Sequence, residues 1–192
     1  MTNESANPRR RLQPDMIVAI AAVVVGVCAL GVSLFQASIM QQQQAELSQQ
    51  RRAEVWPYLQ FGKGHANDVF RFGIANEGIG PARIRTISMT YDGEPVRVWF
   101  ELLKAVHGSA QYSYIQSHIG GRVIRAGDAI EALIVEGELG DSLQAKVGGR
   151  LIAKMCYCSV YDDCWDYTEN FASGAVREPV ERCIPGEEEF EQ

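Results

Sequence analysis

The pattern of apolar and polar positions changes character twice along this chain. Residues 16–35 read MIVAIAAVVVGVCALGVSLF, a run of twenty without a charge. As a helix rising about 1.5 Å per residue, that run covers about 30 Å, the thickness of a bilayer's hydrocarbon. Residues 36–54 turn polar but contain neither Gly nor Pro: four glutamines, Gln41 to Gln44, precede Ala-Glu-Leu-Ser-Gln-Gln-Arg-Arg-Ala-Glu. These are adequate helix formers, so the helix is expected to continue outward as a polar stalk. Its apolar positions (Ile39, Met40, Ala45, Leu47) are too sparse for a coiled-coil seam.

From Val55 the texture is of short β-type runs. Val55–Phe61, Val69–Ala75 and Ala82–Tyr91 are divided by turn residues. In the third run Ile84, Ile87, Met89 and Tyr91 keep one face apolar, with a slip near Thr86 that predicts a bulge. Asp92-Gly93 predicts a hairpin turn into a short strand over 94–98. Trp99, Leu102, Leu103 and Val106 fall at i, i+3, i+4 and i+7, which predicts one short helix with Gly108 at its C-cap. Strand texture resumes over 121–128, 129–135 and 150–157, and Asp162-Asp163 marks a turn into 164–168. Such a series of short strands with one small helix predicts a mainly β fold, an antiparallel, immunoglobulin-like β-sandwich. The expected layout is an N-terminal cytoplasmic tail (1–15), a transmembrane helix (16–40), a helical stalk (41–54), the sandwich (55–185) and a disordered acidic tail (186–192).

Charge orients the helix. Arg9, Arg10 and Arg11 lie just before the apolar run, whereas the first basic residues after it are Arg51 and Arg52. The positive-inside rule puts the N-terminus in the cytoplasm and the domain outside, periplasmic or extracellular in a bacterium. The apolar run is too long, and Ala37-Ser38-Ile39 too poor a small-x-small site, for a cleaved signal peptide, so a single-pass anchor in the cytoplasmic membrane is expected. Ala22 and Gly26, and Ala29, Ser33 and Ala37, are spaced four apart, as in helices that pair closely in lipid. A homodimer through this helix is the expectation that spacing raises, although small residues are common in membrane helices. The whole chain carries a formal charge of -6. With the leader slightly basic, the acidic excess falls entirely after Met40, where no Lys/Arg cluster stands against it. Nucleic acid is therefore excluded as a partner.

Chemistry concentrates in the cysteines. Cys28 lies in the apolar run, while Cys156, Cys158, Cys164 and Cys183 fall in the last quarter of the chain. In an oxidising compartment four clustered cysteines most simply make two disulfides, with three pairings open. The preferred one joins Cys158 to Cys164 across the Asp162-Asp163 turn and Cys156 to Cys183, because Cys156 and Cys158 share a strand face and are badly placed to pair with each other. A redox dithiol or a soft-metal site is the competing reading, but thioredoxin-like chemistry wants Cys-x-x-Cys and structural zinc wants two close ligand pairs.

The remaining candidates are thin. His65, His107 and His118 are scattered, and Ser109, Ser113, Ser117 and Ser159 lack a Gly-x-Ser-x-Gly elbow. Asp162, Asp163 and Asp166 lack the EF-hand pattern, and Asp128, Glu131 and Asp166 could form a hydrolytic site only if the fold brought them together. No catalytic, metal or cofactor residue is therefore assigned. Asn76-Glu-Gly-Ile-Gly-Pro-Ala82 reads as a structural turn: Gly78 and Gly80 permit positive φ, Pro81 fixes the exit and Asn76 can bond the loop backbone.

Val55-Trp-Pro-Tyr58, Asn76-x-Gly-x-Gly-Pro-Ala82 and Tyr157-Cys-Ser-Val-Tyr161 with Cys164-Trp165, all after a single-pass anchor, resemble a group of bacterial membrane-anchored proteins. The resemblance covers roughly residues 49–167 and implies an extracytoplasmic β-rich domain; it transfers no catalytic residue, and Cys156 and Cys183 are not part of its pattern. The function expected from all this is a non-catalytic, membrane-anchored binding or scaffolding module, held in the bilayer by residues 16–40 and facing an envelope protein. The alternative is thiol redox or soft-metal chemistry at the cysteine cluster.

Overall fold

The computed structural model describes residues 14–108, 112–186 and 189–191. Residues 1–13 of the expected tail, Ser109, and residues 187, 188 and 192 lie outside the described residues. The chain divides into two compact units, Met1–Gln50 and Arg51–Gln192.

The first unit is helix α1, which runs without interruption over Pro14–Glu54 into the start of the second. It is long and apolar enough to cross a membrane. Within the apolar stretch and just after it, two hydroxyls are satisfied internally: Ser33 Oγ donates to the Ala29 carbonyl and Ser38 Oγ to that of Phe35, each at 2.8 Å. A helix in hydrocarbon needs such internal bonds, because no water is there to supply them.

The second unit is a mostly antiparallel β domain of two sheets. One has the order β1-β2-β7-β5: Leu59–Ala66, Val69–Asn76, Ala129–Glu136 and Tyr114–Gln116. The other has the order β10-β9-β8-β3-β4: Gly174–Val180, Cys164–Asn170, Leu151–Cys158, Ala82–Tyr91 and Glu94–Val96. The short β6 (Val123–Ile124) also pairs with β3. Alternation builds the core: Phe70, Phe72 and Ile74 on β2, Ile84, Ile87, Met89 and Tyr91 on β3, and Leu151, Ala153, Met155 and Tyr157 on β8 are all buried. The sheets share this core, as Phe61 of β1 meets Tyr167 of β9 with ring centroids 6.0 Å apart. The slip near Thr86 is a register shift between Ile84 and Thr86 against β8. Asp92 and Gly93 turn the hairpin with φ of 54° and 88°.

Helix α2 (Trp99–His107) buries Trp99, Leu102, Leu103 and Val106, and Gly108 caps it at φ 77°. Trp99 packs edge-on to Phe72 at 5.5 Å. Helix α3 (Glu138–Lys146) is absent from the sequence reading, because its only inward apolar positions are Leu139, Leu143 and the flanking Val147. Its Gly140 lets it lie against the sheet: a Cβ there would stand 2.8 Å from the Val135 carbonyl. Strands β5 and β10 are also additions, and the expected strand over 121–128 contributes only Val123 and Ile124. The first strand starts at Leu59 rather than Val55, after Pro57. Pro179 in β10 carries no penalty, since an edge strand leaves one side unpaired.

The acidic tail is also different from its expectation where it is described. Phe190 is 8% exposed and packs on Trp99 with ring centroids 4.7 Å apart. On one side of β3, β4 pairs with Met89–Tyr91 and β6 with Ala82 and Arg83, and the Phe190 N–H donates to the Ile87 carbonyl in between at 2.8 Å. The Phe190 ring, its own N–H bond to Ile87 and the Glu191 N–H bond to the Arg97 carbonyl at 2.6 Å together anchor it.

Candidate functional site

Two clusters of the sequence reading become specific in the fold. The first is the turn at Asn76, whose side chain is 1% exposed and uses its full bonding capacity. Its Oδ1 accepts from the Tyr58 and Gly78 N–H groups, both at 3.1 Å. Its Nδ2 donates to the carbonyls of Gly80 (2.8 Å) and Ile124 (3.1 Å). Neither Gly78 nor Gly80 adopts positive φ; the reason for glycine is close approach. A Cβ on Gly78 would lie 2.4 Å from the Tyr58 nitrogen, and one on Gly80 1.9 Å from the Val55 carbonyl oxygen. The Ile79 and Gly80 N–H groups both donate to the Trp56 carbonyl, at 3.0 and 3.2 Å. The turn is thus laid directly on the Val55–Tyr58 backbone, and every polar group of Asn76 is spent on the fold. Pro81 leads from it into β3.

The second cluster is the cysteines, and β8 positions it. Tyr157 and Met155 point into the core, so Cys156 and Cys158 stand on the sheet's other face, where Lys154 is exposed. Cys156 lies between Thr86 of β3 and Asp166 of β9; Cys158 lies between Arg83 and Cys164. Cys158 is bonded to Cys164 directly across the ladder, with Cα atoms 4.0 Å apart. Cys183, just beyond β10, is brought back across the sheet and bonded to Cys156, with Cα atoms 5.6 Å apart. Cys156, Cys158 and Cys164 are buried, whereas Cys183 is partly exposed.

The two disulfides touch. The Cys158 and Cys183 sulfurs are 3.6 Å apart, and those of Cys158, Cys164 and Cys183 all lie within 4.8 Å of one another. Bonded in this way they offer no thiolate to a metal. A cleft of about 480 Å³ opens over them, lined among others by Arg85, Arg182 and Pro185. The β8–β9 turn beside it is held by the buried Ser159, whose Oγ accepts from the Tyr161 and Asp163 N–H groups at 3.1 and 3.3 Å. Asp162, at φ 62°, is bonded by Arg83 and lies 3.6 Å from Arg85, so its carboxylate is occupied by guanidinium.

Behind the cysteines, on the core side, Tyr157 stacks on Trp165 at 5.6 Å. Arg177 of β10 lies 3.5 Å above the Tyr58 ring and 4.8 Å from that of Tyr167, and donates to the Leu59 carbonyl at 2.6 Å. Burial pushes the Tyr157 phenol above its usual range. Burial also raises that of Tyr167, helped by the Glu169 carboxylate that accepts a hydrogen bond from its hydroxyl.

Two of the three scattered histidines find side-chain partners that their spacing did not suggest, while His118 is bonded through its backbone carbonyl, which accepts from Arg122. His65 Nε2 is 2.9 Å from Asp141 Oδ1, and His107 Nδ1 is 3.2 Å from Ser142 Oγ, two adjacent residues of α3. Only the fold could reveal these pairs, which cross 76 and 35 positions of the chain. His107 is exposed and Ser142 only half-buried, which gives a nucleophile no dry, oriented setting. Asp128 and Glu131 belong with the four-stranded sheet and Asp166 with the six-stranded one, and Glu131 pairs with Arg71 at 3.1 Å. The cysteine cluster is therefore the group of side chains best placed for chemistry among the described residues. No protein-family model, curated protein or solved structure matches this chain.

Proposed function

We propose that this is a single-pass protein of the bacterial cytoplasmic membrane whose disulfide-stapled, immunoglobulin-like domain stands outside the cytoplasm as a non-catalytic binding or scaffolding module for an envelope protein. The observation that carries the reading is the state of the cysteines: behind a helix apolar enough to span a membrane, all four cysteines of the β domain are paired. Disulfides of this kind persist in oxidising compartments and are rare in a reducing cytosol. The three arginines before the helix favour the same orientation. Exposed strand edges are the natural place for a protein ligand to add on; Ile115 of edge strand β5 is 62% exposed.

The test is a maleimide mass-shift count in intact cells, with and without prior reduction, paired with cross-linking at native expression. Labelling of Cys156, Cys158, Cys164 and Cys183 only after reduction, together with one reproducible cross-linked protein, is the expected result. Immediate labelling of two or more of them, or the absence of any cross-linked protein, would overturn the reading.

A further inference from the structure

We propose that Cys183 and Cys158 form a thiol–disulfide exchange site whose reductant is a dithiol, so that the two disulfides act as one coupled redox unit. This goes beyond the binding role above and does not depend on which way the anchor points. The observation is the 3.6 Å contact between the Cys158 and Cys183 sulfurs, which belong to different disulfides. Exchange proceeds by in-line attack of a thiolate on a disulfide sulfur, so a thiolate freed at Cys183 starts at contact distance from Cys158 and comes into line by rotating its own side chain.

Exposure decides where electrons enter. Cys156, Cys158 and Cys164 are 3%, 2% and 7% exposed, and Cys183 is the member that reaches solvent, at the rim of the cleft. An incoming thiolate attacks the Cys183 sulfur, the Cys156–Cys183 bond breaks, and Cys156 leaves as a thiolate that takes a proton from solvent. The second thiol of the dithiol then attacks the mixed disulfide, leaves as part of the oxidised, cyclised dithiol, and releases Cys183 as a thiolate. Arg85 and Arg182 line the cleft together with Asp162 and Glu181, so its formal charges balance and the sulfur contact, not a cationic rim, directs the next step. Cys183 next attacks Cys158, forming a Cys158–Cys183 bond and expelling Cys164 as a thiolate that is protonated in turn. One dithiol has been oxidised to a disulfide, and the protein has lost one of its two disulfides. The surviving bond is one that the oxidised fold does not contain, and the free thiols are Cys156 and Cys164. A purely structural pair of staples would break independently and leave one of its original bonds.

Two measurements on the full-length protein in detergent test this. Cys164→Ser leaves Cys158 as a thiol beside the Cys156–Cys183 bond. After acid quenching, unfolding and maleimide labelling, Cys28 labels in every molecule, and the one remaining label is expected to divide about equally between Cys156 and Cys158 for isomers of similar stability, with a ratio independent of protein concentration. Label on Cys28 and Cys158 with none on Cys156 would overturn the proposal. If that variant does not fold, the wild-type protein decides: treated with one equivalent of dithiothreitol and quenched, its one-disulfide species should contain Cys158–Cys183. Finding only Cys156–Cys183 or Cys158–Cys164 in that species would overturn it as well.

Discussion

Replacing Asn76 with Ala should be among the most damaging single changes in the domain, and its cost can be worked from the geometry. The side chain makes four hydrogen bonds, and its removal leaves all four backbone partners without it. The Gly80 and Ile124 carbonyls are buried, so each loses a partner that water does not easily replace, at about 1–3 kcal/mol per group. The Tyr58 and Gly78 N–H groups are only part-buried and recover some hydration, so each costs about 1 kcal/mol or less. Together these span about 2–8 kcal/mol with a central value of about 4 kcal/mol, a large share of a typical domain's stability. The assay is urea unfolding of the full chain in detergent, followed by tryptophan fluorescence. All three tryptophans, Trp56, Trp99 and Trp165, lie after residue 50, so the signal reports the β domain alone. At a urea slope of about 2 kcal/mol per molar, the midpoint should fall by about 2 M. Asn76→Asp keeps the Oδ1 acceptor but sets a carboxylate against two carbonyl oxygens, and should be no more stable than the Ala variant. A midpoint shift for Asn76→Ala below about 0.5 M would mean that the turn is held by something other than this side chain, and the argument would fail.

Three further outcomes follow from particular contacts. Gly80→Ala places a Cβ 1.9 Å from the Val55 carbonyl oxygen, backbone against backbone, and should cost about 2–3 kcal/mol in the same assay, whereas Gly62→Ala, with open space around it, should cost far less. Phe190→Ala should lower stability by about 3 kcal/mol although only Glu191 and Gln192 follow it in the sequence, since the ring is buried against Trp99; an unchanged midpoint would show that the tail is not docked. Tyr157 and Tyr167 hold their protons more tightly when folded, because burial raises both. Their contribution is complete below pH about 10, where the unfolded chain's tyrosines begin to ionise, and is lost as pH rises towards the folded values. Urea midpoints should therefore fall between pH 8 and pH 11, and fall less in Tyr167→Phe.

Sequence alone carried much of this protein, where the pattern is local. An uncharged run of twenty residues needs no partner to declare itself a helix fit for a membrane. The period-two alternation of Ala82–Tyr91, with its slip near Thr86, and the helical spacing of Trp99, Leu102, Leu103 and Val106 match the elements found, because one buried face imposes its period on each. What the sequence left open depends on distant neighbours. Helix α3 has too few apolar positions to announce itself, and exists because Gly140 lets it close on the Val135 and Phe70 backbone. Strand β10 sets Arg177 and Glu178 side by side and contains a proline; it is a strand only because β9 offers an edge to pair with. The glycines of the Asn76 turn looked like turn residues, and their true constraint, the Val55–Tyr58 backbone lying against them, is some twenty residues away. Cysteine spacing could suggest pairs, but only the sheet register sets Cys158 opposite Cys164, and only the return of the chain after β10 brings Cys183 to within 3.6 Å of Cys158. Periodicity is written in consecutive residues, whereas a contact between sulfurs of two disulfides is a property of three strands and a crossing segment held together at once.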